Sequence, residues 1–522
     1  PRPAERDAAA RATLRYLAQA DIGEILITGS RLKTNGYDSP VPLTVVDASL
    51  IRQLGQGNMS EVVRLIPQNI ATQSDATAGT GFSVDIGASY ANLRGLNPTY
   101  GTRTLTLVNS RRFVPTSTGG QVDLNVIPSV VIRRVETVTG GASAAYGSDA
   151  VAGVVNIILD NRLDGFKGVV DHGQTGRGDG ASLRAAAAYG LDLAGGRGHL
   201  LLGGEYQRNR GIGKCAQARL WCGESWGVFV NAAGIEPGTL NDAPNVSGYN
   251  VPGSFGYGKP NYIIGPGSGL IYMSPYGAIR NFTAPASSST TAFSNIFPAI
   301  NPPLSAVDKV FRADGKSVTD YEPGAFGPKN VAGQAQGGDN LSVYSDQAIR
   351  TPLERYSTYA AAEYALSDAL RLSAELIFAE RRSSATSIIS ATRSTMAIKP
   401  DNAFLPASVA ASLDGASFSL GKDVDNELAH IHRVRAQMFR GVIGLRGELS
   451  ESWSWDAAYQ YGDNRRHSRT PYARHNDSFV MAIDAVRSNP ADPNSAIICR
   501  PLSPATLATF TPAYRAELEA LY

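Results

Sequence analysis

The sequence predicts a small α+β domain followed by antiparallel strands of a transmembrane β-barrel, with the barrel incomplete in this chain. Three observations predict it. Residues 37–160 mix helix-cap signals with short apolar runs. After residue 165 the apolar residues fall into period two over seven segments. Tight turns alternate with very long connections between those segments.

Residues 1–36 read as a linker. Arg11, Leu14, Arg15 and Leu17 sit at helical spacing, in a stretch too short to be a stable helix alone. Glu24-Ile25-Leu26-Ile27-Thr28-Gly29 is an apolar, strand-like run between polar neighbours. Asp47 and Asn58 have the character of helix N-caps. Glu61 completes a capping box with Asn58, and Pro67 stops that helix. Thr104–Val108 and Phe113-Val114 flank the turn-like Asn109-Ser110, which predicts a hairpin. Val130–Val138 and Val151–Leu159 are further strands, joined by the Gly- and Ala-rich Thr139–Ala150.

Beyond residue 165, Arg355–Leu366 places Tyr356, Thr358, Ala360, Tyr364 and Leu366 on one face, with Arg355, Ser357, Tyr359 and Glu363 on the other. Leu370–Arg381, Phe439–Leu449 and Trp453–Gly462 alternate in the same way. So do Leu183–Leu191 and Leu200–Arg208, with Phe166–Gly173 a weaker case. Such alternation fits a soluble β-sandwich as well as a membrane barrel. The connections favour the barrel. Ser367-Asp368-Ala369, Ser450-Glu451-Ser452 and the step from Leu191 to Arg197 are tight, whereas Asn209–Arg350 and Ser383–His432 are long. That asymmetry is the one between periplasmic turns and external loops of outer-membrane barrels.

Several stretches of residues 24–160 resemble, in order, the plug domain of TonB-dependent outer-membrane receptors. They are Glu24–Arg31, Asn92-Leu93-Arg94-Gly95-Leu96, Thr104–Phe113 and, most closely, Asp123–Leu159, which reads DLNVIPSVVIRRVETVTGGASAAYGSDAVAGVVNIIL. The resemblance implies a linker with a TonB-box-like segment over 1–36, a plug over 37–160, and the N-terminal part of a barrel with long extracellular loops over 166–522. It implies that Glu24, Ile25, Leu26, Ile27, Thr28 and Gly29 add a strand to a TonB-type periplasmic energy-transducing protein, where backbone hydrogen bonds supply the affinity. It also implies that Arg94, Arg134 and Glu136 contact the barrel. Arg133-Arg134 departs from the acidic-then-basic pair common in the family.

Composition narrows the function. With 48 basic and 46 acidic residues the net charge is +2, which argues against nucleic acid as a partner. Tyr at 22 outnumbers Phe at 16, Gly reaches 54, and Met, His and Cys are sparse, a balance suited to a strand-rich exported protein. No run of 18 apolar residues predicts a transmembrane helix. Pro1–Ala20 has four arginines and no apolar stretch, so no signal peptide is visible and a native start upstream of Pro1 is expected. Cys215 and Cys222 lie close together in the longest connection and are expected to pair in an oxidising compartment, leaving Cys499 without an obvious partner. His430 and His432 share one side of an extended segment, which reads as a solvated loop before it reads as a metal site. No nucleophile elbow, HExxH or paired-carboxylate pattern stands out, so neither an enzyme nor a cofactor is predicted.

The expected function is TonB-dependent, energy-coupled uptake of a scarce small-molecule or oligosaccharide ligand of siderophore, cobalamin or oligosaccharide type across the outer membrane, whose lipid surrounds the barrel. Tyr249, Tyr257, Tyr262, Tyr272 and Tyr276 can stack on sugars or aromatic chelators. The alternative is an outer-membrane adhesin or passive pore, which shares the alternation but gives no reason for residues 24–160. A secreted β-rich hydrolase lacks a catalytic constellation. A plugged barrel needs about 22 strands. Seven are counted, so the chain is expected to be incomplete at its C-terminus, with residues from about 469 in an external loop.

Overall fold

The computed structural model describes residues 42–53, 59–70, 85–96, 102–140, 142–230, 258, 262–270, 273–280, 309–322, 334–342, 347–386, 391–412, 417–424, 431–450, 453–471, 476–500, 508 and 511–512. The segment Glu24–Gly29 lies outside them, as do Asn58, His430, Tyr249, Tyr257 and Tyr272. The chain forms two compact units. One comprises residues 1–213, 348–385 and 432–469; the other comprises 214–347, 386–431 and 470–522.

The first unit begins with a five-stranded mixed sheet. Its strands are β1 (Leu43–Asp47), β2 (Thr104–Val108), β3 (Arg111–Arg112), β4 (Ile132–Val138) and β5 (Gly153–Leu159), in the order β1-β4-β5-β2-β3. β2 and β5 run parallel, and the other neighbours run antiparallel. Helix α1 (Ala48–Gln53) starts where Asp47 Oδ1 accepts from the Leu50 backbone N–H at 2.9 Å, the cap that its sequence predicts. Helix α2 (Met59–Val63) follows. The predicted hairpin is tighter than the apolar residues imply. Asn109 and Ser110 both take positive φ (49° and 64°), which is a type I′ turn, and pairing resumes at once with Arg111 opposite Val108. Val62, Val63, Leu93, Leu107, Leu124, Val131, Val135, Val155 and Ile157 have no or almost no exposed surface and form the core of this domain.

Seven long strands then build one antiparallel sheet in unbroken chain order. They are β6 (Gly165–Gly173), β7 (Ser182–Leu193), β8 (Gly198–Asn209), β9 (Leu353–Ser367), β10 (Leu370–Thr386), β11 (Ile431–Ser450) and β12 (Trp453–Arg469). Each of the seven predicted segments is one of these strands. Among the described residues β6 and β12 do not pair with each other, so the sheet is an open wall, the partial barrel that the strand count predicts.

The wall is inverted relative to a water-soluble sheet. Its outward phase carries Phe166, Val170, Leu202, Leu376 (50% exposed), Phe378, Ile443 (53% exposed) and Tyr459, all open to the surroundings. Its inward phase buries Arg184, Glu205, Arg355 (2% exposed), Glu375, Arg381 and Arg440 (0% exposed). From Phe439 to Leu449 the outward apolar stripe of β11 spans about 33 Å of strand and, at a tilt of about 40°, about 25 Å of height, the thickness of an outer-membrane apolar band. No helix among the described residues is long and apolar enough to cross a membrane.

The second unit carries a five-stranded sheet ordered Val318–Asp320, Lys309–Phe311, Ala278–Arg280, Phe418–Asp423, Ala391–Ile398. Ile279, Phe311, Met396, Ile398, Val409 and Phe418 form its core. The long connections are therefore partly folded. Strands of three to eight residues are too short for the period-two signal that reveals the wall. Cys215 and Cys222 sit in two short helical turns of this unit and form a disulfide with their Cα atoms 5.4 Å apart, while Cys499 is free. Peptide mapping without reductant is expected to yield the Cys215–Cys222 crosslink and an alkylated Cys499. Recovery of both Cys215 and Cys222 alkylated from exported, unreduced protein would exclude the bond.

Candidate functional site

The inner face of the wall meets the N-terminal domain along three groups of polar contacts, all within the first unit. The first centres on the turn Leu124–Val126. Asp123 Oδ1 accepts from the backbone N–H groups of Ser89 and Asn125, both at 3.0 Å, which caps the turn. Arg355 of β9 donates Nη1 to the Asn125 carbonyl at 3.0 Å and to its side-chain oxygen at 3.2 Å. Its Nη2 pairs with Glu205 of β8. Register explains that pair: Ser357 lies opposite Glu205, so Arg355 is its diagonal neighbour on the inward face. The other Glu205 oxygen accepts from the Ser129 backbone N–H at 2.8 Å and from its hydroxyl. Arg184 of β7 donates to the Ser129 hydroxyl at 2.6 Å and to Asp171 of β6, while Arg381 of β10 pairs with Asp123 at 3.4 Å. Burial pushes the Asp123 carboxyl up from the ordinary carboxylate range, and Arg381 opposes that shift without cancelling it.

The second group holds the hairpin tip. Asn109 donates Nδ2 to Glu375 of β10 at 3.1 Å, and its Oδ1 accepts from the Leu159 backbone N–H at 2.9 Å. Arg111 pairs with Asp456 of β12 at 3.1 Å. Arg440 of β11 pairs with Glu375 at 3.4 Å and sets its guanidinium 5.1 Å from the centre of the Phe113 ring. The third group is a single ion pair between Asp85 and Arg466 of β12.

Apolar contact completes the seat where the wall has no side chain. A Cβ on Gly203 of β8 would lie 2.6 Å from Val131 Cγ1, and one on Gly462 of β12 would overlap Val114. The adjacent outward Gly204 has nothing closer than 3.8 Å. Gly203→Val is therefore expected to cost about 1–3 kcal/mol and to loosen the N-terminal domain, whereas Gly204→Val is nearly neutral. Denaturant unfolding of the two variants side by side checks this; equal midpoints would contradict the close approach at residue 203.

The residues singled out by resemblance lie on β4 and beside Gly140. Arg134 and Glu136 are two positions apart on β4 and pair with each other at 2.7 Å, Glu136 being fully buried. Arg94 takes a positive φ of 57° beside Gly140, where a Cβ would lie 3.2 Å from Arg94 Nη2. Asp85, Asn109, Arg111, Asp123, Asn125 and Ser129 escaped sequence reasoning. Their wall partners did leave a signal, since Arg355 and Glu375 fall on the phase opposite the aromatic stripe of their strands.

These groups orient the plug and hold it to the wall. Residues 35–154 match the family described as TonB-dependent Receptor Plug Domain. Similar solved structures include a mutant of the ferric enterobactin receptor PfeA from Pseudomonas aeruginosa, at 15% identity and a TM-score of 0.41, covering 82% of this chain and 41% of that one. The ferripyoverdine receptor of the same organism has 13% identity and a TM-score of 0.35, with 86% and 46% covered. The siderophore receptor PirA from Acinetobacter baumannii has 14% identity and a TM-score of 0.32, with 81% and 48% covered. The chain thus spans less than half the length of these receptors. Residues 35–154 thus match a TonB-dependent receptor plug domain, and an antiparallel wall of strands with an outward apolar phase and an inward charged phase follows it in the chain.

Proposed function

We propose that the chain supplies the plug and first barrel strands of a receptor that takes up a scarce ligand by coupling to a TonB-type periplasmic protein. The ligand class is a siderophore, cobalamin or oligosaccharide too large for a porin. Glu24–Gly29 is the segment gripped by the partner, through strand addition. Residues 1–36, 37–160 and 166–522 act as linker, plug and barrel part, and Arg94, Arg134 and Glu136 take part in the contact between plug and barrel. The observation that supports this reading best is the seat of the plug. A belt of charged and hydrogen-bonded pairs, Arg355–Glu205, Arg381–Asp123 and Arg111–Asp456 among them, holds it to the wall. Such pairs separate one at a time and re-form in a wet lumen, so a pull on the linker can move the plug without unfolding the wall.

The test is uptake in a strain lacking the receptor, restored with the full-length protein and offered a panel of ferric chelates, cobalamin and glycans, with and without a protonophore. Accumulation of one ligand that stops on de-energising is expected. Accumulation that persists without a proton gradient would favour a passive pore.

A further inference from the structure

Plug and wall are joined in the chain by the short connector between β5 and β6, and successive residues from Leu159 to Leu163 are each anchored. Leu159 and Asp160 are tied to the plug itself. Their backbone N–H groups donate to Asn109 Oδ1 at 2.9 Å and to the Val131 carbonyl at 2.8 Å. Asn161, Arg162 and Leu163 meet the wall. Asn161 Oδ1 accepts from the Tyr359 hydroxyl of β9 at 2.7 Å, and Arg162 donates to Glu363 of β9 at 2.9 Å. The Leu163 carbonyl lies against β7, where a Cβ on Gly190 would overlap it and would sit 3.3 Å from His199 Nε2. The His199 ring is buried and is fixed by Asp192 at 2.8 Å.

These anchors fix the connector in place. Tyr359 is buried, so its hydroxyl has no water to turn to if Asn161 leaves it. The Arg162–Glu363 pair is the weakest of them, since Arg162 is exposed and Arg371 shares the same carboxylate oxygen at 3.0 Å. Tyr359 and Glu363 are four residues apart on β9, about 13 Å of strand. Gly190 lies two strands away, on β7. One contact lets a segment swivel, whereas three that are not in line hold its position.

We propose that Asn161–Leu163 is a mechanical stop, with Tyr359 the positioning residue that keeps the plug's last strand, β5, on the wall while the linker is pulled. A body pulled at one end moves as a whole when its far end is free and deforms when that end is held. β1, which follows the linker in the chain, is an edge strand of the plug sheet, whereas β5 lies at its centre and runs into the stop. A pull on the linker therefore rearranges the plug between its two ends and does not withdraw it whole. This rests on the proposed coupling only in that the linker is pulled. Neither ligand nor periplasmic partner enters the test, so either reading can fail without the other.

The test is single-molecule pulling on the full-length receptor in liposomes, through a peptide tag placed before the linker. Arg162→Cys with Glu363→Cys, in a Cys499→Ala background, is measured before and after a bifunctional thiol reagent ties the connector to β9. The force of the first yield is expected to be the same in both states, because the stop already holds. A higher force after crosslinking shows that the connector lets go first, and overturns the proposal. Tyr359→Phe added to the same pair removes the buried hydrogen bond. Release of the connector at a given force is then expected to be roughly tenfold more frequent, so that crosslinking now raises the yield force. A Tyr359→Phe receptor still indifferent to the crosslink overturns the role given to Tyr359.

Discussion

Replacing Ile27 by proline is expected to abolish energised uptake while leaving ligand binding at the cell surface nearly intact. Proline removes a backbone donor and clamps φ, which would block the strand addition to a partner's sheet edge that is proposed for Glu24–Gly29. The lesion lies in the linker, remote in sequence from the wall strands and the long connections, so the affinity measured on de-energised cells should not change. Binding and uptake of the same labelled ligand, measured on one batch of cells, separate the two steps. Uptake at the unmutated rate would remove the segment from the coupling path. Equal loss of binding would show instead that the substitution misfolds the plug.

The second large effect is expected at Glu205. It is fully buried, pairs with Arg355 and accepts from Ser129, so Glu205→Ala leaves a buried guanidinium without its anion. A loss of about 3–5 kcal/mol is expected, the range for breaking one side of a buried pair. Replacing both partners, Glu205→Leu with Arg355→Met, is expected to recover much of that stability because neither charge is then stranded. The recovered protein should nonetheless transport poorly, since the apolar pair offers the Asn125 carbonyl no donor. Denaturant unfolding of the two variants and the parent in the same detergent gives the comparison. A single substitution costing under about 1 kcal/mol would place the pair in solvent rather than in a closed seat.

What the sequence made legible followed from strict local periods. All seven wall strands were visible because one face meets lipid and the other meets the plug, which forces alternation. Their outer ends were not. β11 begins at Ile431, yet its readable pattern starts at Phe439, because beyond the lipid the outward residues are Arg433, Arg435 and Gln437. The cap at Asp47 and the turn at Asn109-Ser110 were legible because each is settled within four residues. The contacts of the seat were not, since Arg355 and Asn125 are separated by 230 positions and meet only once the wall curves past the plug. Resemblance directed attention to Arg94, Arg134 and Glu136, and it carried no register by which to pair them.

The unbroken chain order of the wall implies a sequence of assembly. Each wall strand pairs with the wall strand that precedes it in the chain, so the sheet can lengthen by one strand at a time, with the finished edge templating the next arrival. The plug's anchoring points follow the same progression. Ser129 meets β7 and β8, Asn125 meets β9, Asp123 and Asn109 meet β10, and Arg111 meets β12. A plug already folded at the N-terminus would therefore be wrapped progressively, like a mandrel around which the wall is wound, and each added hairpin would be checked against the next charge on its surface before the following one is laid down.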